Sequence, residues 1–151
     1  MAERRISYAK DKTDIIKRLV NAEDGSGPFR LIADVLVFAA ALGLKRDRSV
    51  PLGDAKEEPI RQEVFDRQGY DTMMNLLALS ITGKPEVLAD SDEMIETRAS
   101  IFEQYANGGL AILQDELRGA TNPLETMVLL INAERSGRPQ GLEGFDLSDL
   151  V

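Results

Sequence analysis

Histidine and cysteine are both absent from this sequence. Without cysteine there is no disulfide frame, no thiolate nucleophile and no thiolate metal site. Without histidine the commonest general base and the commonest transition-metal ligand are gone, and with them both familiar nucleophilic dyads. No GxxxxGK[ST] phosphate loop is present, and no dinucleotide fingerprint follows a strand. Long apolar runs are lacking too. The longest, around Leu31 to Leu44, is broken by Asp34 and suits a buried helix rather than the roughly 18 residues of a membrane span. The first residues, MAERRISYAKDK, have no apolar core of a secretory signal. These absences lead us to expect a soluble cytoplasmic protein that is not an enzyme, with no cofactor, no metal and no membrane contact.

What is present is an ordinary globular composition. The chain has 151 residues, 43% of them hydrophobic and 29% charged, enough for one domain with a real core. The net charge of −8 argues against a surface coated in basic groups. Its distribution is uneven: residues 1–48 carry ten basic and seven acidic side chains, and residues 49–151 carry eight and nineteen. An acidic partner could therefore still meet the first third.

The periodicity predicts an all-α fold, a compact single-domain bundle of about six helices around a central apolar helix at residues 28–42. Arg4 to Tyr8 reads as a short strand or ordered arm, followed by a helix from about Asp11 to Asn21 and a turn over Ala22–Gly27. Pro28 is expected at the first position of the central helix and Gly43 at its C-terminal cap, with Arg30 and Asp34 spaced to pair. A helix from near Pro59 to Gly69 follows. Asp71 caps the next, to about Thr82, which is expected to bury Met73, Met74, Leu76, Leu77 and Ile81. A long helix capped by Asp90 keeps its apolar phase across Gly108 and Gly109, so it is expected to run through them or break only slightly. The last helix starts with Asn122 as cap, Pro123 next and Glu125 three residues on, and directs Leu124, Met127, Val128 and Ile131 inward. We divide the chain into a helical domain, 1–137, and an acidic and apolar tail, 138–151.

Few side chains suggest a site. Asp90, Asp92, Glu93 and Glu96 read as helix-start charge rather than as a cation site, having no EF-hand spacing. Glu103, Tyr105 and Asn107 beside the Gly-Gly pair read as helix surface and close packing. The basic cluster Lys45, Arg46 and Arg48 follows the end of the central helix, where cations are favoured. With Arg4 and Arg5, and with Lys10 and Lys12 alongside, it could instead contact nucleic-acid phosphates. Strand, helix, turn, helix is also the element order of ribbon-helix-helix DNA binders. In the tail, Leu142, Phe145, Leu147 and Leu150 could insert in a groove of another protein.

The segments GPFRLIADVLVFAAALGLKRDRSVPLG, EPIRQEVFDRQGYDTMMNLLALSITG and IFEQYANGGLAILQDEL resemble a small bacterial family. It is the family of accessory proteins designated the fourth protein associated with the dnd DNA phosphorothioation genes, and the likeness covers roughly residues 10 to 132. It implies a setting of DNA modification and restriction in which sulfur replaces a non-bridging phosphate oxygen, as part of anti-phage defence. It carries no catalytic or binding residues over to this chain. The resulting expectation is a non-enzymatic accessory protein that binds other dnd-locus proteins, with a DNA-binding regulator using the basic first third as the alternative and a metal-dependent hydrolase built from carboxylates alone as a third reading. The sequence leaves the oligomeric state open.

Overall fold

Asp92–Glu116 forms the longest helix of the protein, here α5, whose 25 residues span about 38 Å. In this computed structural model, residues 4–20 and 27–136 are described. The Ser91 hydroxyl caps α5 by accepting from the Met94 N–H, so the cap lies one residue beyond the expected Asp90. Asp92 and Glu93 occupy the first turn, where negative charge favours the helix dipole.

α5 passes through Gly108 and Gly109 without a break, and Ile32–Lys45 (α2) crosses it in the most extensive helix contact of the molecule. The glycines explain how close the two helices come. A Cβ on Gly109 would overlap the backbone of Ala39, and one on Gly43 would overlap the carbonyl of Tyr105. Gly43 is therefore no cap. It lies inside α2, which continues to Lys45 and closes with Asp47 in the left-handed region at φ 52°.

Pro28 does not start α2 either. The Phe29 N–H donates to the Leu19 carbonyl at 2.9 Å, which holds the segment extended until Leu31. There Asp34 accepts from the Leu31 N–H at 3.1 Å and turns the chain into the helix. The other oxygen of Asp34 takes the Tyr70 hydroxyl at 2.7 Å, so the expected pairing with Arg30 is not formed. That hydrogen bond, more than burial, raises the Tyr70 pKa above its usual value.

Thr13–Leu19 (α1) follows a 3-10 turn at Lys10–Lys12. Before it, residues 4–9 form an arm rather than a strand. Ile6 exchanges both backbone hydrogen bonds with Ile60, at 2.9 and 2.7 Å, and Ala9 bridges to Lys56. This pairing keeps Pro59 and Ile60 extended, so the helix expected near Pro59 shortens to Gln62–Arg67 (α3). Gly69 then adopts φ 76° and caps Tyr70–Thr82 (α4), where Asp71 had been expected to act; Gly83 ends α4 in the left-handed region as the sequence suggests.

The core runs along α5. Phe102 meets Phe65 of α3 edge-on at 5.6 Å, and Leu36, Leu77, Leu110 and Leu113 are fully buried around them. α4 turns Leu76 and Ile81 outward, contrary to expectation. Pro123–Ser136 (α6) starts as predicted, with the Asn122 side chain accepting from the Glu125 N–H at 3.2 Å. Its inward face is Met127 and Leu130; the expected Leu124, Val128 and Ile131 are exposed. α6 rests on α1, and its Glu134 is held by Lys45 and Arg46 at the end of α2. The architecture is all-α: among the described residues there are six α-helices, isolated β-bridges and no sheet. No helix among them is long and apolar enough to cross a membrane. The turn at Ala22–Gly27 falls almost wholly outside the described residues, and the tail 138–151 entirely so.

Candidate interaction surfaces

Arg4 and the pair Lys45 and Arg46, from the basic group singled out in the sequence, are held at two separate places on the bundle. Arg4 leads the arm onto α5, where its guanidinium donates to Glu103 at 2.8 and 3.1 Å and to Glu96. The Ser7 N–H donates to Glu103 at 2.7 Å as well, so this buried carboxylate fastens the arm at two points. The hydrogen bond to Glu103 raises the Arg4 pKa, against the opposing effect of burial. Arg5, next to it, is exposed and makes no ion pair among the described residues.

Lys45 and Arg46 leave the end of α2 toward α6. Both grip Glu134, and Arg46 also approaches Glu116 at 3.7 Å. Burial works to raise the Glu134 pKa, but Arg46 and Lys45 together hold it below the usual carboxylate value. Arg48 is exposed without an ion pair among the described residues. The contact points of the two basic groups on α5, Glu103 and Glu116, are about 20 Å apart by helix rise. Lys12, counted with the basic residues, is buried and reaches Asp11 at 3.0 Å.

The polar set around the glycine pair works as internal fastening. Asn107 is buried and its amide donates to the carbonyls of Val50 and Pro51 at 3.2 and 3.1 Å, while the Val50 N–H donates to the Gln104 carbonyl. The loop carrying Arg48 is thus sewn to α5, and a Cβ on Gly108 would strike the Arg48 carbonyl. The Asn107 Oδ1 is buried without a partner among the described residues.

Two surfaces stand out among the described residues. One is a groove of about 1020 Å³ between the arm, α3, α4 and the start of α5. Met74, Ile95 and Ala99 lie at its base, and Asp66, Asp71, Asp90 and Asp92 stand along it with Arg5 and Arg98. Arg98 is positioned by donating to the carbonyls of Val87 and Ala89 at 2.7 and 2.8 Å. Of the acidic residues predicted to mark a helix start, Asp92 and Glu93 lie in the first turn of α5, and Asp90, Asp92 and Glu96 also face this groove. Among the described residues no group of histidine, cysteine or carboxylate side chains is arranged to hold a metal ion.

The other surface is the outer face of α6. Leu124, Val128 and Ile131 recur at helical spacing beside the buried pair Met127 and Leu130, and Leu129 on the far side is 63% exposed. Sequence periodicity had marked this stripe as core. The sequence signalled only part of the groove, as the acidic run Asp90, Asp92 and Glu96; Asp66 and Asp71 come from two other elements and share no motif with it. Leu142, Phe145, Leu147 and Leu150 of the tail lie outside the described residues.

Comparison with known proteins gives one near-complete match. The family described as DNA sulphur modification system-associated protein 4 matches residues 5–150. Among curated proteins, the chain is 30% identical over 112 residues to ATP-dependent zinc metalloprotease FtsH 1 of Thermomicrobium roseum, covering 70% of this chain and 17% of that protein. It is 28% identical over 116 residues to ATP-dependent zinc metalloprotease FtsH of Thermobaculum terrenum, covering 74% and 17%. The chain thus spans about a sixth of the length of the curated relatives it matches. No solved structure matches it.

Proposed function

Because the chain belongs to the DNA sulphur modification system-associated protein 4 family, we propose that it serves that system as a non-enzymatic accessory protein, binding its other protein components in the cytoplasm. The observation that carries this reading is the outer stripe of α6. Leu124, Val128 and Ile131 form one apolar line on a helix that, among the described residues, is covered on only one side. A contiguous apolar line left to water is the usual mark of a protein contact, whereas single exposed leucines are not. The side chains add support. Carboxylates are the main catalytic groups available in a chain without histidine or cysteine. The partial likeness to metalloproteases does not change this, since paired imidazoles of the H-E-x-x-H kind cannot be supplied here.

A DNA-binding regulator has less support. Duplex binding is favoured by a continuous row of unneutralised cations along the phosphates. Here Arg4, Lys45 and Arg46 are engaged by carboxylates of their own chain, and the two groups are separated along α5. The remaining exposed cations of this group, Arg5, Lys10 and Arg48, stand amid a net charge of −8.

The experiment is a pull-down of tagged chain from host cells carrying the modification system. The wild type is expected to retain one or more of the system's proteins, and Val128→Asp with Ile131→Asp is expected to lose them while melting like the wild type. Recovery of none of them, under conditions that preserve other complexes of the system, overturns the proposal. Duplex DNA, with or without phosphorothioate, is expected to keep its mobility at low salt. A shift that weakens when Lys45, Arg46 and Arg48 are neutralised would favour the regulator instead.

A further inference from the structure

We propose that the groove between the arm, α3, α4 and the start of α5 is a docking site for a cationic, amphipathic peptide segment of a partner protein. The inference rests on the reading of the chain as a protein binder but not on the α6 stripe. Three features argue for this occupant. The first is uncompensated charge. The groove is lined by five carboxylates and three guanidinium groups. Of the three, Arg4 is already shared between Glu96 and the buried Glu103. Asp71, Asp90 and Asp92 have no cationic partner among the described residues, and Asp66 accepts only from the neutral Gln62 amide at 3.1 Å.

The second is the base. Met74 is buried there and Ile95 is half-exposed, so an occupant gains by placing an apolar side chain between the carboxylates. A bare polyamine or a metal ion would not use that base, and a nucleic-acid strand would be repelled by the carboxylates. The third is size. A volume of about 1020 Å³, open along an exposed rim, lies at the top of the range for small-ligand pockets and suits several residues of a peptide. Lysine or arginine flanking a leucine-like side chain meets all three conditions, with the charges steering approach and the apolar contact fixing register.

The test uses the full chain, isotope-labelled, and a short blocked peptide of lysine and leucine as probe. Amide shifts are expected to map to residues 71–75, 90–99 and the arm, leaving α6 unmoved. Asp71→Asn with Asp90→Asn is expected to weaken binding at least ~10-fold, and Asn75→Arg, which places a cation in the groove, to do the same. Replacing the peptide's leucines by serines, or its lysines by glutamates, should abolish the shifts. Shifts scattered over other faces, binding that survives both variants, or equal shifts with spermidine alone would overturn the proposal. Because the probe is synthetic, failure here is separable from failure of the pull-down, which reads α6.

Discussion

At the crossing of α2 and α5, Gly43, Gly108 and Gly109 let one backbone rest on another, and Val35, Leu36, Ala39, Ala40, Leu42, Ala106, Leu110 and Leu113 of the two helices are buried. In α6, a helix of the same 14-residue length as α2, the apolar positions divide between the bundle and the solvent. The difference teaches where each helix contributes. Close packing without side chains at the contact tolerates almost no change, because the opposing atoms are backbone and cannot move aside. A helix held by Met127, Leu130 and an ion-paired Glu134 leaves half its apolar arc for something else. Stability is concentrated at the crossing, while α6 leaves apolar surface exposed.

Breaking the first half of that comparison gives the largest effect. Gly109→Val should cost about 3 kcal/mol or more, or prevent folding, since its side chain would have to occupy the Ala39 backbone. Chemical denaturation reads the loss, and Gly119→Ala, whose added methyl meets nothing but whose φ is 75°, should cost only about 1 kcal/mol. Truncating the inner face of α6 comes next. Leu130→Ala should cost about 2–3 kcal/mol, while Val128→Ser, about half a turn away on the outer stripe, should stay within about 0.5 kcal/mol. Equal losses at the two positions would erase the division drawn here.

Glu103→Gln should cost about 1–2 kcal/mol, because the Arg4 guanidinium loses its buried counter-charge while Ser7 can still find an acceptor. Faster hydrogen exchange at the amides of Ile6 and Lys10 would place the loss in the arm rather than in the crossing. The smallest effect concerns acid. The folded pKa of Glu134 is depressed, so its stabilising contribution is present above the unfolded carboxylate value and is lost as pH falls through the folded one. Glu134→Gln should therefore be less stable than the wild type at neutral pH, and the gap in denaturation midpoint should close in acid. Partial exposure of the pair and added salt will keep that gap small.

Much of the fold was legible in the sequence because helical periodicity and terminal residues are local signals. The uninterrupted passage of α5 through two glycines followed from unbroken apolar phase on both sides, and the start of α6 from Asn122, Pro123 and Glu125. The errors have a common source in contacts between distant segments. Pro28 lost its helix start to the pairing of Phe29 with Leu19, Pro59 lost its own to the pairing of Ile60 with Ile6, and Gly43 became a packing residue because α5 needed its missing side chain. Of the candidate surfaces, the basic cluster was visible as composition, but its partners Glu134 and Glu116 lie at least 68 residues away in sequence. The α6 stripe was visible as period and misread as core, since periodicity marks an apolar arc without saying how much of it a neighbour covers.

Hydrogen exchange on the full chain, alone and in the complex recovered by pull-down, tests the central claim most directly. The account predicts that amides of 124–131 exchange far sooner than those of α2 and α5 in the free chain, and gain protection in the complex while α2 and α5 keep theirs. Unchanged exchange along α6 in a complex that forms, with protection appearing on other faces, would contradict it.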